Sequence, residues 1–296
     1  MQKLQTIRGS YYKRLQNYGY IFVLPTVAMF LLFMIYPMIN AFYLSFFNWN
    51  LVSEKTFVGF NNFKHLISDA RFLNSLKVTL VYTLISVFFF MIISFWLAYG
   101  LSTITKLRRF YQSAFFIPVV LSIVGTAVGF RYIFNNLGIV TCITSSLFNT
   151  AIPWLSSVKI ANYTTMMVIV WKVAGVYIML FFAGFLNVPV VYYEAANIDG
   201  AGFWGKLIYI TIPSMKNTII LVFISCVIFT FGAFPIQYVL TKGGPSNATE
   251  VLALYIYNLG FKQTKIGYAS AVSVVYFIIL FIFALIQIRV LTSPND

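Results

Sequence analysis

The sequence predicts an all-α, polytopic membrane protein with six transmembrane helices, and three observations carry that expectation. Of its 296 residues 60% are hydrophobic and 9% charged, with a mean hydropathy of +0.87, too little polar surface to cover a soluble core. The apolar residues gather into six long runs, each near the roughly 20 residues a helix needs to cross a hydrocarbon core about 30 Å thick. The basic residues are scattered between these runs, so the net charge of +14 suits loops beside anionic headgroups and argues against a nucleic-acid surface.

Taken in order, residues 1–19 carry Lys3, Arg8, Lys13 and Arg14 and read as a cytoplasmic N-terminal segment. The run at about 20–47 is too long for a signal peptide and lacks a small-x-small cleavage site, so it reads as a retained first span, bent or bounded by Pro25 and Pro37. A polar connection from Asn48 to Lys77 leads to the second span at 78–101, closed by Lys106, Arg108 and Arg109. The third span, 115–134, has Pro118 near its start and Arg131 near its end, where an interfacial anchor is the expected role for the arginine. A second polar connection, Asn135 to Ile160, precedes the fourth span at 161–186. Residues 187–216 form a loop before the fifth span at 217–240, and Thr241-Lys242-Gly243-Gly244-Pro245 opens another. The sixth span, 267–290, completes a membrane domain of 20–290, followed by a short cytoplasmic tail, 291–296.

Six spans place both termini on one side. With the termini in the cytoplasm, ten basic residues lie inside and eight outside, a positive-inside bias of the right sign but small size. Cys142 and Cys226 fall at different depths and read as small apolar fillers, and His65 has no Cys, His or carboxylate cluster around it, so no metal site is readable.

The loop at 187–216 is neither apolar enough for lipid nor polar enough to be idle. Pro189 suits a first helical turn, Val190 to Asn197 continues it with a single acid, Glu194, and Asp199-Gly200 breaks it. A second amphipathic segment, Phe203 to Ile210, is expected to run until Pro213 stops it, giving two short helices joined at a glycine elbow. Two further patterns in this stretch lack their context. Gly200-x-Gly202-x-x-Gly205 fits a dinucleotide fingerprint and Gly200 to Lys206 most of a phosphate loop, but Leu207 stands where a Ser or Thr hydroxyl must meet Mg²⁺, and no apolar strand precedes either.

Glu194-Ala195-Ala196, three residues, Gly200, nine residues, and Ile210-x-Ile212-Pro213 resemble the EAA loop of permease subunits of binding-protein-dependent ABC importers, departing from it only in Ile212 for Leu. Leu24-Pro25, Tyr36-Pro37, Phe116-Ile117-Pro118, Trp171, the Gly-Gly-Pro loop and Tyr255-Ile256-Tyr257 extend the likeness from Tyr20 onward to the carbohydrate-uptake branch, in a compact six-span form similar to the larger maltose permease component. The resemblance implies the type I importer permease fold in a bacterial inner membrane. It further implies an elbow docked as a coupling helix on a separate ATPase that binds ATP and Mg²⁺, with no cofactor and no catalytic residue on this chain. The partners so implied are a second homologous permease, two ATP-binding subunits, an extracellular solute-binding protein, a sugar or oligosaccharide and membrane lipid, with no nucleic acid.

For coupling, the candidates are Glu194, Ala195, Ala196, Asp199 and Gly200, with Tyr193, Phe203 and Pro213 in support; a helix offering one carboxylate suits an arginine across an interface. Lys172 lies near the middle of the fourth span, too deep to snorkel, so it either lines a water-filled cavity, where it favours an anionic sugar, or pairs with backbone carbonyls or a neighbouring subunit. In the sugar-importing members the cavity is lined by the third, fourth and fifth spans, which adds Val119, Trp171, Val173, Val176, Phe229 and Thr230 as pathway candidates. An importer of glycerol phosphate or another small polar solute is an alternative. An ion-coupled secondary transporter is another, against which stands the lack of Asp or Glu inside the six spans.

Overall fold

The computed structural model describes residues 19–291, and the calls on the N-terminal segment before Gly19 and on the tail after Leu291 lie outside them. The chain falls into two compact units: one is built from the N-terminal part through His65 with Leu259–Val275, the other from Leu66–Asn258 with the chain from Tyr276 onward.

In the first unit, a helix at Gly19–Leu44 is long and apolar enough to cross a membrane. A π-helical stretch at Leu31–Ile35 lets the helix pass Pro37, which sits in the first turn of the α-helical stretch that follows. The expected connection then opens with a small hairpin, Phe47–Asn48 against Thr56–Phe57, antiparallel with Phe47 opposite Phe57. The Asn62 amide fixes it by donating to the Ser45 and Phe47 carbonyls at 2.8 and 3.0 Å.

The second unit is organised around two helices, Ala70–Thr103 and Ala161–Leu186. The first begins eight residues before the expected 78, because Asp69 caps it: its Oδ1 accepts from the Arg71 and Phe72 amides at 2.9 and 3.2 Å. At 34 residues this helix spans about 51 Å, longer than the hydrocarbon core, so its ends stand clear of it. Its buried face repeats at helical spacing with small residues, Ser75, Thr79, Ser86, Ser94 and Ala98 among them, which lets the two helices approach closely. Tyr82 and Phe90, fully buried, fill the remaining gaps, and Phe90 meets Tyr177 edge to face at 4.9 Å.

The third span is not the single helix expected at 115–134. It is two helices, Arg108–Val120 and Ile123–Ile133, set at 92° to each other. Pro118 deletes a backbone donor near the end of the first, Leu121 is extended, and Ser122 Oγ accepts from the Gly125 amide to start the second, so local chemistry ends one helix and starts another inside an unbroken apolar run. The connection expected to be polar at 135–160 instead holds an apolar helix, Ile139–Phe148. The fifth span, Lys216–Leu240, is interrupted between Phe231 and Pro235, where Gly232 and Pro235 break the ladder. Beyond it come a helix at Leu252–Tyr257 and the final helix, Ile266–Leu291.

Candidate functional site

The elbow begins with Pro189 as the cap of a helix at Val190–Ile198, one position before the first-turn place expected of it. Gly200 has φ of +73°, and around it the Ala201 amide donates to the Ala196 carbonyl at 2.8 Å and the Gly200 amide to Asn197 at 3.2 Å. That bond pair is the Schellman stop, which needs a left-handed residue at this position. No atom lies within 4 Å of where a Cβ on Gly200 would sit, so its backbone angle, and not lack of room, makes glycine the fitting residue.

The second arm, Phe203–Lys206, continues through a π-helical turn at Leu207–Thr211 into Ile212–Ser214. Pro213 therefore does not end the segment as expected. The wide turn shifts the hydrogen-bond register, so the proline falls in the first turn of the next helical piece, where its missing amide is tolerated. The arms are tied together: the hydroxyls of Tyr193 and Thr211 are 2.9 Å apart, Thr211 donates to the Lys206 carbonyl, and Lys206 Nζ donates to Asn197 Oδ1. Glu194, Ala195 and Asp199 are exposed while Ala196 is buried, so the helix turns its carboxylate outward. Around it the loop exposes large apolar side chains, with Ile198 87% and Val191 67% accessible. The other side is anchored: Phe203 packs on Tyr99 at 5.6 Å, Trp204 on Trp96 at 6.3 Å, and Tyr99 on Phe185 at 5.7 Å. The elbow is thereby packed against the ends of the second and fourth spans.

The pathway candidates do not converge on one polar cavity. Lys172 is buried, and its Nζ donates to the Val119 carbonyl at 2.9 Å. This carbonyl is one of the last four of Arg108–Val120, which have no helical partner, so the ammonium caps the negative end of a half-helix. Gly175 makes the approach possible, since a Cβ there would lie 2.1 Å from the Phe115 carbonyl oxygen. Thr230 is buried and bonds back to the Cys226 carbonyl at 2.7 Å, Phe229 is exposed, and Val173 and Val176 are half-buried. Trp171 alone of the set lines a cavity of about 700 Å³, whose walls of Ile85, Phe89, Met166, Val170 and similar residues are apolar, with Tyr163 and Trp171 the residues there that carry a polar side-chain atom.

Sequence reasoning missed a network at the far end of the bundle. Arg71 Nε and Nη2 each donate to a carboxylate oxygen of the buried Glu250 at 2.7 Å, the Asn258 amide donates to Glu250 at 2.6 Å, and Tyr255 donates to Asp69 at 2.5 Å. A lone glutamate just before the apolar run that starts at Val251 was the available signal; nothing in the sequence points from it to Arg71.

No protein-family model matches the sequence. Among curated proteins, the chain is 32% identical over 286 residues to a probable ABC transporter permease protein, YurN, of Bacillus subtilis, covering 94% of this chain and 97% of that one. It is 32% identical over 285 residues to the multiple sugar-binding transport system permease protein MsmF of Streptococcus mutans (92% and 94% covered), and 30% identical over 289 residues to the lactose transport system permease protein LacF of Rhizobium radiobacter (95% and 96%). Its fold matches, with a TM-score of 0.84 at 21% identity over 97% of this chain, a chain in the crystal structure of a bacterial ABC transporter involved in the import of the acidic polysaccharide alginate.

Proposed function

The chain belongs to the ABC transporter permease family, and from that premise we propose that it is the membrane-spanning subunit of an ATP-driven importer for a sugar or oligosaccharide. Relatives described as sugar and lactose transport permeases support the substrate class. The observation that carries the mechanism is the elbow: a helix stopped by Gly200, presenting Glu194 among exposed apolar side chains and fastened by Phe203 and Trp204 to two spans. Such a body serves as a lever. The loop faces the cytoplasm with both termini, and Glu194 meets an arginine of a separate ATPase that holds ATP and Mg²⁺. Two such ATPases closing on nucleotide push the elbow, the spans rearrange, and a cavity shared with a second, homologous permease opens outward to a solute-binding protein. In the conformation described, Lys172 spends a donor on the break in the third span, so its role in this cycle is to hold that break.

The test is reconstitution of the permease pair with ATPase and binding protein in proteoliposomes. Glu194→Ala should weaken ATPase association, and deletion of 194–200 should abolish uptake while the protein still inserts. Uptake retained by the deletion, or labelling of a cysteine at position 194 from the outside of intact cells, overturns the lever assignment.

A further inference from the structure

We propose that the cavity at the opposite end of the bundle from the elbow is an outer subsite for a carboxylate-bearing sugar unit, with Arg131 reading its charge; this rests on the import reading and extends it. The cavity holds about 400 Å³, within the roughly 300–1,000 Å³ of ligand clefts. It lies between the outer end of Ile123–Ile133 and the loop that follows the fifth span. That loop and the one before Ala161 lie across the bundle from the elbow, because the 26-residue fourth helix, about 39 Å long, separates the latter from it.

Its lining is the inverse of the larger cavity's. Arg131, Asn135, Asn136 and Ser156 form a polar rim, and Phe134 and Leu155 give an apolar floor. A pyranose needs both kinds of surface, ring C–H faces against apolar carbon and hydroxyls against amides. The Arg131 guanidinium has no hydrogen-bond or ion-pair partner among the described residues, which leaves a planar fork of donors open to a carboxylate.

Both walls are fixed in advance. On one side, the Thr141 hydroxyl and the Gly138 amide each donate to the Asn135 carbonyl at 2.8 Å. On the other, the hydroxyls of Thr241 and Thr249 lie 2.6 Å apart, Thr249 donates to the Gly244 carbonyl at 2.9 Å, and Glu250 next to it is held by Arg71. The backbone of both walls is thus bonded internally; Asn135 Oδ1 accepts from the Asn136 amide at 2.6 Å and Asn136 Oδ1 from the Ser156 hydroxyl at 3.4 Å, which leaves the Arg131 guanidinium and the two side-chain NH₂ groups for a ligand.

The floor carries its own reporter, since the Trp154 ring packs on Phe134 at 5.6 Å. The assembled transporter in nanodiscs is titrated with digalacturonate and, separately, with maltose, reading tryptophan fluorescence. A saturable change with digalacturonate is expected, lost in Trp154→Phe, weakened at least about tenfold in Arg131→Gln, partly restored in Arg131→Lys and unchanged in Lys172→Met. No saturable change, equal binding by Arg131→Gln, or maltose binding as tightly as digalacturonate overturns the proposal. It also falls if Arg131→Gln leaves digalacturonate binding intact but weakens capture of the solute-binding protein, for the rim would then be a protein-docking surface. The elbow deletion leaves this titration untouched, so failure of the import reading and failure of the subsite are separable.

Discussion

Stranding the buried Glu250 carboxylate by removing Arg71 alone should destabilise the protein at least as much as neutralising both partners. Glu250 is 1% exposed and accepts three short bonds, from Arg71 Nε and Nη2 and from Asn258; the Arg71 side chain is 36% exposed. Breaking a fully buried pair costs about 3–5 kcal/mol. Because the guanidinium keeps part of its hydration, a loss of about 2–3 kcal/mol is expected for Arg71→Met, which strands the carboxylate. Glu250→Gln keeps the shape and an acceptor for Asn258 and loses only the charge assistance, about 1–2 kcal/mol. In the double variant Arg71→Met, Glu250→Gln neither charge remains, and the loss should fall short of the sum of the single losses by about 2 kcal/mol. Cys226 supplies the assay, being fully buried while Cys142 is exposed. In a Cys142→Ser background, a thiol-reactive dye reports unfolding as Cys226 is released. Arg71→Met should melt about 5–10 °C early, at roughly 2–4 °C per kcal/mol for a chain near this size. Unchanged melting in the single variants, or losses that simply add in the double, would refute the reasoning.

At the elbow, Gly200→Asn should preserve uptake and Gly200→Val should abolish it, because the site has room for a side chain but requires a left-handed backbone that Asn tolerates and a β-branched residue does not. The comparison is made by ATP-driven uptake in proteoliposomes. Gly175→Ala should cost about 1–3 kcal/mol or more, since its methyl would sit 2.1 Å from backbone rather than from a movable side-chain end; the same thiol-dye melt reads it. Lys172→Met should lose about 1–3 kcal/mol by leaving the Val119 carbonyl without its donor, with no change in the preference for anionic over neutral sugars. A shift in that preference would show that Lys172 faces the substrate.

What the sequence determined by itself was what depends on near neighbours along the chain. Long apolar runs mark where helices lie whatever surrounds them, and the fourth helix, Ala161–Leu186, has the ends expected of it. The stop at Gly200 was legible because it is built from five or six consecutive residues, and the Glu194 to Pro213 spacing carried the family resemblance. The tertiary structure alone decided what depends on pairs distant in sequence. Hydropathy averages over the break in the third span because both halves are apolar; Pro118 and Ser122 set where it falls, while the 92° angle between the halves is a matter of how each half packs. Lys172 could be placed at mid-depth from its position, but its partner, Val119, is 53 residues away and is reached only because Gly175 admits the neighbouring backbone. Arg71 and Glu250, 179 residues apart, read as a loop base and a stray acid until the fold sets them in contact. The rim around Arg131 is of the same kind: its residues come from three separate segments, and their convergence is a property of packing, which no local pattern encodes.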